Sequence, residues 1–149
     1  MFKRLTNIFK SQVVKDLYFG EMGSTFDDYN NYYYLDKDIE LEGVNTPVVL
    51  CIQTTNQKSN KRQQKAFELI KDDSRNVMNE VVNFLTLEES FISKNRLKKE
   101  FRLESITIPE HLEKNSIEWS MDFSNLKDGF TRIVVKMNNL KPIGFSVEG

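Results

Sequence analysis

The stretch that decides the fold is residues 116–148, SIEWSMDFSNLKDGFTRIVVKMNNLKPIGFSVE. Apolar and mostly polar residues alternate in three runs within it, at 116–123, 132–137 and 143–148. Successive side chains of a strand point to opposite faces, so each run predicts a strand with one apolar face. The connections contain residues that favour turns, Gly129 and Asn139 among them. The stretch therefore predicts an antiparallel sheet with one solvated face.

The rest of the chain predicts further strands on both sides of a helical middle. These strands are expected at 12–19, 29–35, 48–54 and 103–108, and residues 36–42 either continue the second strand or form its partner after a turn near Asp36-Lys37-Asp38. Residues 48–54 are apolar on both faces, which indicates a central strand. Residues 21–28 contain Gly23 and several polar residues, and they predict a loop.

Apolar residues keep helical spacing between residues 60 and 86, with Asp72-Asp73-Ser74 in the middle of the segment. This pattern predicts two helices, about 60–72 and 74–86, with Ser59 or Asn60 as N-cap of the first and Ser74 capping the second. A single kinked helix is the alternative. A short helix is also expected among the charged residues before 103.

These elements predict one α+β domain spanning residues 1–149. It consists of a mostly antiparallel sheet with a helical layer, the mid-chain helices about 60–86, packed on one face, and a short N-terminal helix. The N-terminal helix is expected at residues 1–10, where Phe2, Leu5 and Ile8 share one side. A helix packed on the domain is the favoured interpretation, and a membrane-surface anchor is the alternative. No apolar run is long enough to span a membrane.

The composition excludes several classes of function. Lys and Arg total 21 and Asp and Glu 22, so the net charge of −1 gives no overall attraction to nucleic acid or anionic lipid. Cys51 is the single cysteine, which rules out an internal disulfide and predicts a cytoplasmic protein. With His111 as the single histidine, a Cys/His zinc site and a His-based triad are not expected. No glycine-rich phosphate loop is present, and the sequence predicts no cofactor.

One row of side chains is a candidate binding site. Six residues follow each other at every second position: Tyr32, Tyr34, Asp36, Asp38, Glu40 and Glu42. If the chain continues as one strand to residue 42, all six share a face. Residues 21–42 carry seven acids against one base, Lys37. The row has three interpretations: a solvated strand face, a protein-binding surface, or a Mg²⁺ or Ca²⁺ site.

Basic side chains form two groups, in residues 58–65 and 94–102. Either could meet phosphates, but no interleaved aromatic residues or recognition motif accompany them. Solvated helix surface is therefore the favoured interpretation, and a nucleic-acid partner is not expected.

Several short motifs resemble those of small bacterial domain families that include immunity proteins of polymorphic toxin systems. In chain order these are Asp16-Leu17-Tyr18-Phe19-Gly20, Tyr32-Tyr33-Tyr34-Leu35, Gln63-Gln64 with Phe67, Trp119-x-x-x-Phe123 and Pro142-Ile143-Gly144. The resemblance implies a cytosolic protein that binds and blocks a cognate toxin, without catalytic residues of its own.

Three hypotheses follow. The first is a non-enzymatic binding protein, most concretely an immunity protein that uses the acidic, Tyr-rich row against a protein partner with a cationic site. The second is a carboxylate-dependent metal enzyme that uses residues 36–42. The third is a nucleic-acid binder that uses the basic group at 94–102.

Overall fold

The computed structural model describes residues 12–87 and 91–149. The strands of this part are β1 (Gln12–Asp16), β2 (Gly20–Asp27), β3 (Tyr32–Ile39), β4 (Val48–Thr54), β5 (Phe101–Ile108), β6 (Glu118–Asn125), β7 (Arg132–Asn138) and β8 (Lys141–Glu148). The helices are α1 (Lys61–Asp72), α2 (Ser74–Thr86) and α3 (Lys94–Glu100), and all of them lie between β4 and β5.

The eight strands form one sheet in which the spatial order equals the sequence order. Every neighbouring pair is antiparallel except β4 and β5, which are parallel. Parallel neighbours need a crossover connection, because the chain must return to the end of the sheet from which it left. The three helices form this crossover and cover one face of the sheet.

The covered face, called here the helix face, forms the core. Strands β2 to β7 contribute buried apolar residues to it, among them Met22, Leu35, Leu50, Ile106, Met121 and Val135. The helices contribute Phe67, Ile70, Val77, Val81, Leu85 and Leu97 at the spacing of one helical side. The core therefore lies between a sheet that is apolar on one face and a layer of amphipathic helices.

Helix α1 begins where the sequence provides a cap. The Asn60 side chain accepts a hydrogen bond from Gln63 N at 2.9 Å, and the Gln63 side chain accepts one from Asn60 N at 3.0 Å. The Gln63 amide also donates to the carbonyl oxygens of Gln53 (2.7 Å) and Ile108 (3.2 Å). This fully buried side chain thus fixes the start of α1 to the ends of the parallel pair.

The fold class predicted from the sequence is wrong. The described chain is an open, mostly antiparallel eight-stranded sheet in which strands (45%) dominate over helices (24%), and the helices are mid-chain. The prediction gave the helical layer too much weight because it did not recognise β2 or anticipate the full extent of the sheet. The predicted N-terminal helix at residues 1–10 lies outside the described residues.

Three local predictions also need correction. Residues 21–28 are not a loop, because β2 occupies most of them. Strand β1 ends at Asp16 rather than near 19, since the chain turns there into β2. Ser74 does not cap α2: Asp73 is the N-cap, and the Ser74 hydroxyl donates to the carbonyl oxygen of Glu42 at 2.8 Å. The two predicted helix positions, 60–72 and 74–86, are confirmed to within one residue.

Candidate functional site

The face of the sheet opposite the helices, called here the open face, carries most of the polar side chains of the strands. The pairing registers align these residues in rows that run across the strands. One row contains Asp36, Cys51, Thr107, Ser120 and Lys136 in adjacent strands. The open face is therefore a mixed polar surface rather than a second core.

The first four residues of the predicted row lie on β3 and share the open face. Tyr32 and Tyr34 contact each other: their hydroxyl oxygens are 2.7 Å apart and their rings meet edge to face at 5.0 Å. Gln53, opposite Tyr34 on β4, donates to the Tyr32 hydroxyl at 3.3 Å. Burial and the hydrogen bond with Tyr32 raise the pKa of Tyr34. The Tyr34 phenol is therefore protonated at neutral pH and acts as a hydrogen-bonding, partly apolar group.

Asp36 lies two residues further along β3, and the residue opposite it on β2 is Gly23. A Cβ atom at Gly23 would collide with Oδ1 of Asp36, so the glycine makes room for this carboxylate. On its other side Asp36 is paired with Cys51 of β4. Burial, with a smaller contribution from the Asp36 carboxylate, raises the pKa of the Cys51 thiol to about 12. The thiol is therefore protonated at neutral pH and is a poor nucleophile.

The last two residues of the predicted row leave the sheet. Strand β3 ends at Ile39, so Glu40 and Glu42 follow it as exposed residues of the connection to β4. Glu42 forms an exposed ion pair with Arg75 of α2 at 3.2 Å. The structure thus brings Tyr32, Tyr34, Asp36 and Asp38 together and places Glu40 and Glu42 at the end of the strand.

A second charged group on the open face was not singled out from the sequence. Arg132 of β7 contacts Asp122 of β6 at 2.7 Å and Glu148 of β8 at 2.9 Å. Oδ1 of Asp122 is buried and has no hydrogen-bond partner among the described residues. Burial raises the pKa of Asp122 to about 6, although the Arg132 guanidinium opposes the shift. All three residues fall on the polar side of the C-terminal alternation, but their contact depends on strand registers that the pattern does not contain.

A groove of about 450 Å³ lies at the end of the open face where β4 and β5 terminate. Its polar lining includes Gln53, Thr107, Ser120 and Lys136, and Pro109 and Ile143 add apolar walls. Gln53 is the link between the groove and the tyrosine pair. The open face therefore combines an acidic, tyrosine-containing half with a half of mixed charge, where Arg132 and Lys136 lie among Asp122, Glu118 and Glu148.

Within residues 12–87 and 91–149, no three His, Cys, Asp or Glu side chains are grouped closely enough to hold a metal ion. Because the four predicted carboxylates do not share one strand, the metal-enzyme alternative lacks the geometry on which it depended. In the same part of the chain, no helix has the length and apolar character needed to cross a membrane.

The comparisons with known proteins leave the chain without an assigned family. No protein-family model matches it, and no curated protein or solved structure matches it either. The resemblance to immunity-protein families therefore stays a prediction based on the short motifs given above.

Proposed function

We propose that this chain is a non-enzymatic, cytosolic binding protein, most concretely an immunity protein that neutralises a cognate toxin. The surface proposed for binding is the β3 row of Tyr32, Tyr34, Asp36 and Asp38, extended by Glu40 and Glu42. The observation that carries the proposal is that the first four side chains share one face of one strand, on the side of the sheet away from the helices.

The chemistry of the row suits a protein partner with a basic surface. Tyrosine buries apolar area while its hydroxyl keeps a hydrogen-bond partner, and it is enriched at protein interfaces. Carboxylates beside it provide attraction to a cationic site, such as the substrate site of a nuclease, and accelerate association. The carboxylates of Asp36 and Asp38 are both held on the regular strand β3, so this surface needs little rearrangement to bind a partner.

The test is binding to the product of the reading frame next to this gene, which the proposal expects to be a toxin. Affinity is measured at low and high salt for the wild type and for the double variant Asp36→Asn/Asp38→Asn. A control double variant, Asp72→Asn/Glu80→Gln, removes the same charge from the helical layer. Circular dichroism and thermal unfolding establish that each variant is folded.

The proposal expects the β3 variant to weaken binding at low salt by roughly 10- to 100-fold, the range for truncated partners of interfacial charge pairs. The control should change the affinity little, because its charges lie away from the row. Equal affinity of the β3 variant and the wild type at low salt would remove this surface from the proposal. When each variant is expressed together with the toxin, the wild type and the control variant should protect cell growth better than the β3 variant does.

A further inference from the structure

Strand β8 forms one edge of the sheet, because it pairs with β7 on one side and no described strand follows it. Its large apolar side chains are unusually exposed: Ile143 58%, Phe145 38% and Val147 52%. The equivalent alternation on β7 is fully buried at Ile133 and Val135. An edge with exposed apolar residues and unpaired backbone groups is a template for pairing with another chain.

The register of β7 and β8 shows which backbone groups point outward. Asn138 and Lys141 close a two-residue turn and therefore exchange hydrogen bonds with each other. Hydrogen-bonded and non-hydrogen-bonded pairs alternate from there along an antiparallel ladder. Phe145 and Val147 form non-hydrogen-bonded pairs with β7, so the N–H and C=O groups of these two residues point away from β7, toward the open edge of the sheet.

The other end of β8 is not suited to pairing. Pro142 has no N–H to donate, and the register shifts by one residue between Pro142 and Gly144. The segment available for a new partner is therefore 144–148.

We propose that this segment pairs with the same segment of a second copy of the chain, antiparallel and around a two-fold axis at Ser146. In this register Phe145 faces Val147 of the second copy, and the symmetry repeats the pair. The two outward residues of each copy then form four backbone hydrogen bonds. Each Phe145 also packs against Val147 of the other copy, on the side where its ring already contacts Phe84 and Phe91 at 6.1 and 4.6 Å.

Charge complementarity favours this occupant. In the same register Glu148 of one copy faces Gly144 of the other, where no atom lies within 4 Å of a Cβ position. The next residue in that row is Lys136, which is exposed on the same face. Each copy thus brings the Glu148 carboxylate, which also contacts Arg132 of its own chain at 2.9 Å, toward the Lys136 ammonium group of the other copy, twice by symmetry. A parallel arrangement would instead place the two Glu148 ends of β8 next to each other, so that carboxylates of the same charge would be neighbours.

The proposal is tested by the oligomeric state of the full chain. Sedimentation equilibrium from low micromolar to millimolar concentration should show a reversible monomer–dimer equilibrium. Val147→Lys places a charge in both symmetric apolar pairs and should weaken the dimer at least ~10-fold. Val13→Lys is the control, because Val13 is 67% exposed on β1, the strand at the other end of the sheet; it should leave the dimer intact.

Cross-linking tests the register independently of affinity. Ser146→Cys places a thiol at the two-fold axis and should give a disulfide-linked dimer on mild oxidation, while the buried Cys51 does not react. Val13→Cys should give no disulfide-linked dimer, although it still forms the non-covalent one. If the wild type is monomeric at millimolar concentration, the proposal is overturned, and the remaining interpretation is that β8 pairs with a strand of a different protein. Cross-linking through Val13 but not Ser146 would overturn it too, by placing the interface at β1.

Discussion

Replacing Gln63 tests the account of how the helices are fixed to the sheet. Its side chain is fully buried and makes three hydrogen bonds, to the carbonyl oxygens of Gln53 and Ile108 and to the N–H of Asn60. Gln63→Leu keeps a similar volume and removes all three. At about 1 kcal/mol net for each hydrogen bond, the free energy of unfolding should fall by about 3 kcal/mol. The loss should be larger if no water molecule replaces the lost hydrogen bond to the Ile108 carbonyl oxygen. This is a substantial part of the 5–15 kcal/mol typical of a domain.

The measurement is urea unfolding followed by circular dichroism and by the fluorescence of Trp119. The midpoint should fall while the slope of the transition stays the same, because the change acts on the native state. Gln64→Leu is the matched control: its half-buried side chain makes a single hydrogen bond, to the Ser59 hydroxyl at 2.9 Å. It should cost about 1 kcal/mol or less.

Gln63→Glu adds a pH-dependent version of the test. An ionised carboxylate would face two carbonyl oxygens, so the pKa of the introduced group should rise in the folded state. A raised folded pKa gives stability that is present at low pH and lost as pH rises through that pKa. The variant should therefore be closer to the wild type at pH 4 than at pH 8. Stabilities of Gln63→Leu and wild type within 1 kcal/mol of each other would refute the proposed role of the side chain.

Three further predictions concern other polar groups. Asp16 is buried, and burial by itself would raise its pKa, but hydrogen bonds from backbone N–H groups lower that pKa overall. The stability of the wild type should therefore fall as pH drops through the folded pKa of Asp16. Urea titrations at several pH values should show that an Asp16→Asn variant lacks this part of the acid dependence. Asp122 has a pKa raised to about 6, so stability should decline by about 2 kcal/mol as pH rises from 4 to 7. Asp122→Asn should flatten that decline, and a slope equal to the wild type's would contradict the assignment. Gly23→Ala should displace the Asp36 side chain and cost about 1–3 kcal/mol by thermal unfolding, whereas no loss would show that the carboxylate moves freely.

The sequence predicted elements where one pattern dominates. Strands β6 and β7 follow the alternation around Trp119 and Val135, and β4 is a central strand because both of its faces are apolar. Strand β2 was missed because its glycines and acids have low strand propensity, although Met22 and Ser24 alternate correctly. Strand β2 forms nevertheless, because it pairs with β1 on one side and with β3 on the other.

The limits of prediction at the candidate site have a different cause. Asp36 and Asp38 could be assigned to one face because the period of a strand requires it. Glu40 continues the same spacing, yet the strand ends before it, and nothing local marks that boundary. The same limit applies to β8, whose apolar residues look like those of β7 but lie at an edge. Exposure and contacts between strands depend on order and register, which are properties of the whole sheet.

The parallel contact between β4 and β5 has a consequence for how the chain folds. On either side of it, β1 to β4 and β5 to β8 are ribbons of consecutive antiparallel strands, whose contacts are close in sequence and can form quickly. The seam between them joins Val49 to Ser105 and closes a much longer loop. The slow event in refolding should therefore be the joining of two preformed halves, with the helical crossover consolidating only when that seam closes.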